Sequence, residues 1–93
     1  MSETKPREAM KRDPAWNPAI GDVLSKGRET RTVTETIKRK DGEVWRLTTQ
    51  NVQHPGKNSP FSEMKWEGRP TLTAWRAWAA KAEVVNLADW SQK

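Results

Sequence analysis

The sequence predicts a small, mainly β domain with one short helix, an α+β arrangement in which an SH3-like barrel or a strongly bent antiparallel sheet packs against that helix. Three observations carry this. Thr30 to Lys38 alternates strictly and is followed by Asp41-Gly42, the signature of a hairpin. Leu72, Trp75, Ala79 and Ala82 recur at helical spacing after Pro70. The bulky apolar mass is almost all indole, six tryptophans against one phenylalanine and no tyrosine, which suits one small core rather than two.

Taken in order, Met1 to Ala15 mixes charges with two prolines, has little apolar bulk beyond its methionines, and reads as a flexible charged arm. The domain is expected over 16–90, with 91–93 as a tail. It opens at Trp16-Asn17-Pro18, turns into a short strand at Ile20 to Leu24, and stops at Ser25-Lys26-Gly27. In the next strand Val33, Glu35 and Ile37 share one face and Thr32, Thr34 and Thr36 the other.

Register decides the turn. A two-residue Asp-Gly loop would set Ile37 against Arg46 and Val33 against Gln50, wasting both apolar residues. A three-residue Lys40-Asp41-Gly42 loop with Gly42 left-handed sets Ile37 against Trp45, Glu35 against Leu47 and Val33 against Thr49. The second gathers an apolar face and is the expected hairpin.

Residues 53–70 hold three prolines and two glycines, so a long irregular loop is expected, with a short strand at Glu63 to Trp66. Thr71 or Thr73 can N-cap a helix reaching about Lys81, with Trp78 beside its buried stripe and Arg76 and Lys81 facing away. Glu83 to Leu87 returns as the last strand, and Trp90 can fold back as a lid. An open sheet of three or four strands is the alternative architecture.

Gly21-Asp22-Val23-Leu24 and the run from Thr71 to Val85 resemble small, mostly uncharacterised proteins of tailed phages and prophages. These pair a GDV-type opening and a threonine-rich hairpin with an aromatic helix before an EVV-like strand. The resemblance spans roughly 17–87 and implies a phage or prophage origin and a β-rich, SH3-like domain; no catalytic residues come with it.

Charge and residue chemistry limit the function classes. A net charge of +5 favours polyanionic partners, although no segment is a polybasic tail. The absence of cysteine excludes disulfides and thiolate chemistry and fits a cytoplasmic location, which the resemblance implies to be that of an infected or lysogenic bacterium. No apolar run is long enough to span a bilayer, so no membrane partner is expected. His54, the lone histidine, is expected in an exposed loop. With no phosphate loop, nucleophile elbow or metal-ligand cluster, neither an enzyme nor a cofactor is expected.

The expected function is noncatalytic nucleic-acid binding with modest sequence specificity. Lys38, Arg39, Lys40 and Arg46 would pair phosphates, and Phe61, Trp66 and Arg69 would meet bases. Trp45, Trp75 and Trp78 are assigned to the core. The rival is a protein-binding module, such as a phage inhibitor of a host enzyme or defence complex, using the same tryptophans and arginines. A monomer is favoured over self-association through exposed tryptophans.

Overall fold

The computed structural model describes residues 12–60 and 62–88. Its elements are β1 (Val23–Lys26), β2 (Glu29–Lys38), β3 (Val44–Gln53), β4 (Met64–Gly68), α1 (Leu72–Ala79) and β5 (Glu83–Asn86). The strands form one antiparallel five-stranded sheet in the order β4-β3-β2-β1-β5. The sheet is not closed, and β4 and β5 are its edges. The β-rich fold with one short helix agrees with the sequence reading; the alternative of three or four strands undercounts the sheet.

Hairpin chemistry explains the first pairings. Gly27 at φ +64° and Arg28 form a two-residue loop between Lys26 and Glu29, which register with each other, so the expected strand end is also a hairpin turn. At the next turn Arg39 N–H donates to the Glu43 carbonyl, Gly42 N–H donates to the Arg39 carbonyl, and Gly42 lies at φ +89°. The three-residue Lys40-Asp41-Gly42 loop therefore forms as expected.

The register beyond it departs from the expectation. Val33 does oppose Thr49, but Ile37 opposes Arg46, Thr36 opposes Leu47 and Glu35 opposes Thr48. One extra residue in β3, Trp45, shifts the register, and one extra in β2, Thr34, restores it. Each bulge turns two successive side chains to the same outer side. Val44 and Leu47 thus face the core while Trp45 and Arg46 face out, and Val33 faces in while Thr34 and Glu35 are exposed. The outer side is stitched by Thr34 Oγ1 donating to the Thr48 carbonyl and Thr48 Oγ1 donating to Glu35 Oε1 (both 3.1 Å).

One face of the sheet is covered by α1. Thr71 caps the helix, its hydroxyl accepting from Ala74 N–H at 3.1 Å. Trp75 and Ala79 are its fully buried residues, and Leu24, Val33, Leu47, Ala82, Val84 and Leu87 complete the core with Ala15. Trp78 packs partly against this cluster, its ring centroid 5.6 Å from that of Trp75. At roughly 150–250 Å² per buried aromatic, Trp75 is the largest single apolar contribution. Its indole N–H donates to the Pro14 carbonyl at 3.0 Å, so the polar edge of the ring is satisfied inside the core.

That contact moves the start of the domain. Arg12 to Ala15, expected to belong to the arm, are folded: Pro14 and Ala15 are buried, and the turn closes through Trp16 and Asn17 N–H groups donating to the Asp13 carbonyl. The organising residue is Asp22, buried although charged. Arg12 donates to both its oxygens (2.7 and 2.8 Å), Ala19 N–H donates to Oδ2 and Ala88 N–H to Oδ1. One carboxylate therefore ties the entry segment, β1 and the exit from β5 together. The first eleven residues and 89–93, which hold the rest of the arm, the tail and Trp90 as a lid, lie outside the described residues.

Candidate nucleic-acid interface

The bulge at Trp45 is the local event that builds an aromatic and cationic surface. It leaves Trp45 37% exposed and brings the Arg46 guanidinium to 4.9 Å from the ring centroid. Trp45 was expected in the core on the assumption of unbroken alternation; the bulge reverses its face. Arg46 Nη1 also donates to the Arg69 carbonyl, and Leu47 N–H donates to the Pro70 carbonyl at 2.9 Å. These bonds hold the chain after β4 against β3 and bring Arg46 and Arg69 together. Arg69 is itself exposed and pairs with Glu67 at 3.0 Å.

The remaining expected contacts are distributed differently. Arg39 and Lys40 are exposed at the hairpin tip, where Asp41 accepts from Glu43 N–H. Lys38 lines a groove of about 270 Å³ with Trp16, Pro18, Val44, Leu72 and Arg76. Trp66, 40% exposed, stands opposite Asn51, and strand alternation puts it on the helix side of the sheet, away from Arg46 and Arg69. Phe61 lies outside the described residues. The predicted set is therefore not one patch: Arg46 and Arg69 meet on the outer face, Lys38 opens to the groove, and Trp66 belongs to the opposite face.

Two further arginine–indole stacks escaped the sequence reading. Arg76, expected to point away from the protein, lies 3.6 Å from the centroid of Trp16 and donates through Nε to its carbonyl. Trp16 is 58% exposed and forms a wall of the groove. Arg31 sits 4.2 Å from the centroid of Trp78 and is held by Glu29 at 2.6 Å. A guanidinium over an indole face adds roughly 0.5–1 kcal/mol where solvent reaches it. No spacing rule would have found these pairs, because each joins two separate elements.

His54 is exposed, as expected, and also a staple. Its Nδ1 lies 3.0 Å from Glu63 Oε2 and its Nε2 3.2 Å from Thr30 Oγ1. The ring thus bridges Glu63 and Thr30 and joins both ends of the 54–63 loop to β2. Among the described residues no cluster of three or more histidine, aspartate or glutamate side chains could hold a metal ion, and no helix is long and apolar enough to cross a membrane. No family model, curated protein or solved structure matches the chain.

Proposed function

We propose that the protein is a noncatalytic accessory protein of the phage kind, acting in the bacterial cytoplasm, that binds nucleic acid and favours single strands. The observation that supports this best is the outer-face group of Trp45, Arg46 and Arg69. A partly exposed indole stands beside the Arg46 guanidinium, which also holds the Arg69 backbone carbonyl, with Arg39 and Lys40 at the end of the same hairpin. Unpaired bases stack on such rings at roughly 1–3 kcal/mol each, while the cations pair phosphates. A stacking surface without an ordered base-reading element gives modest sequence specificity.

Fluorescence titration with single-stranded and duplex oligonucleotides tests the reading. Four phosphate contacts, from Arg39, Lys40, Arg46 and Arg69, give a slope of log K against log salt of about −3 for single strands. Trp45→Ala should remove most of the indole quenching, and Arg69→Ala should flatten the slope by about 0.7. Binding that ignores salt, or none at low salt, overturns the proposal.

A protein partner is the second reading, favoured by Trp16. This exposed indole, stacked by Arg76 at the mouth of a groove, has the composition of an interface anchor. A stoichiometric protein retained from nuclease-treated host lysate and lost on Trp16→Ala would support this reading over the first.

A further inference from the structure

β4 ends the sheet on one side, so one row of its backbone groups faces away from β3. The ladder identifies which. Arg46 and Thr71 form a bridge in which Leu47 N–H donates to the Pro70 carbonyl, and the same register continues as Thr49 with Gly68 and Asn51 with Trp66. Hydrogen-bonded and non-bonded pairs alternate along an antiparallel ladder, so Met64, Trp66 and Gly68 turn their backbone groups to β3. The Trp66 carbonyl indeed lies toward β3, within 3.5 Å of Gln50 Nε2. Lys65 and Glu67 therefore present their N–H and C=O groups outward.

The side chains of this edge have a symmetry of their own. Glu63, Lys65, Glu67 and Arg69 alternate in sign about Trp66, and every charge sits at an odd position. If the strand meets a second copy of itself antiparallel with Trp66 at the centre, Lys65 faces the partner's Glu67 and Glu63 faces the partner's Arg69. Every facing charge is then opposite. Sliding by one hydrogen-bonding step in either direction sets Lys65 against Lys65 of the partner subunit, or Glu67 against Glu67 of the partner subunit. Like charges directly opposed destabilise a sheet pair, so both neighbouring registers are disfavoured against the central one, which also pairs the most charges. A run of same-sign charges would guard an edge against every partner, its own copy included; this alternation does not.

The other face agrees. Met64, 61% exposed, would lie opposite Gly68 of the partner, where no side chain competes for the space, and Trp66 would meet its own copy across a non-bonded pair, in which side chains approach closest. The geometry points to a homodimer formed edge to edge through β4, in the register centred on Trp66, joining two sheets into one. The occupant of this edge is a second copy of the chain, because the charge pattern is complementary to itself. Two Lys65–Glu67 pairs, each exchanging two backbone N–H···O bonds, with the Met64 and Trp66 contacts, make a small, two-fold symmetric interface. Interfaces of this size are weak, so the dimer is concentration-dependent. The inference does not rest on nucleic-acid binding, although Arg69 takes part in both.

Sedimentation velocity on the full chain, without nucleic acid, from about 1 to 500 µM tests it. The wild type is expected to move from monomer to dimer across that range. Lys65→Glu alone sets like charges against Glu67 at both symmetric positions and should raise the dissociation constant by about tenfold or more, as should Glu67→Lys alone. An equimolar mixture of the two variants, and the K65E/E67K double variant, should each dimerise like the wild type. A wild type that stays monomeric, single variants that dimerise unchanged, or a double variant that stays monomeric overturns the inference. Circular dichroism checks the fold of each variant, and if a single variant unfolds, the wild type and the folded double variant decide.

Discussion

Replacing Asp22 with asparagine tests whether one buried carboxylate holds the two ends of the domain together. Oδ1 accepts from Arg12 Nη2 (2.8 Å) and Ala88 N–H (3.0 Å), and Oδ2 from Arg12 Nη1 (2.7 Å) and Ala19 N–H (2.8 Å). An amide keeps one oxygen and places an NH2 group where the other stood. Whichever way it turns, two donors then face a donor. One backbone N–H is orphaned, at about 1–3 kcal/mol, and one charge-assisted bond from Arg12 is lost, at about 1.5–3 kcal/mol. Arg12, 19% exposed in its side chain, can turn to water and offset part of this. The net loss is about 3 kcal/mol, which for a domain of this size lowers the thermal midpoint by about 12–24 °C. Thermal unfolding followed by circular dichroism, with urea titration for the free energy, measures it. A midpoint within about 4 °C of wild type, equivalent to less than 1 kcal/mol, refutes the assignment of Asp22 as the tie.

The remaining expectations concern packing and local geometry. Trp75→Ala should cost about 3–5 kcal/mol in urea unfolding, whereas Trp45→Ala should cost under about 1 kcal/mol, because only the first empties the core. Equal losses would mean that Trp45 is a core residue after all. Gly68→Ala should destabilise by about 1–3 kcal/mol, since a Cβ there would lie 2.8 Å from both Asn51 Nδ2 and Thr49 Oγ1, whose own side chains are hydrogen-bonded at 2.7 Å. Thr71→Ala should cost about 1 kcal/mol through loss of the helix cap, visible as reduced stability with an unchanged unfolding slope.

Local rules carried much of the fold. Alternation from Thr30, the Lys40-Asp41-Gly42 loop, the Thr71 cap and the stripe through Trp75 each depend on a few neighbouring residues, and each reads directly from sequence. The paired bulges do not. Trp45 and Thr34 leave the ladder in different strands, and the second compensates for the first only because the two strands are already paired. Trp45 therefore read as core and stands outside it. The fold of Arg12 to Ala15 escaped for the same reason, since its partners are Asp22 and Trp75, far along the chain. At the site, Arg46 and Arg69 were legible as cations, but their meeting depends on the β3–β4 register. Trp66 was legible as a loop aromatic with exposure, yet the pleat sends it to the other face.

The order in which the strands are made has a consequence for how the chain emerges from the ribosome. β1 to β4 form a meander in which each strand pairs with its predecessor as it is synthesised. β1, however, receives its second neighbour only when β5 arrives, with Val23 opposite Asn86 and Leu24 opposite Val84. At roughly 5–20 residues per second that delay lasts several seconds, during which Leu24 waits beside an open strand edge. A nascent chain stalled before Glu83 presents that edge to any β-strand nearby, so a pause late in translation leaves the chain with a second open edge besides that of β4.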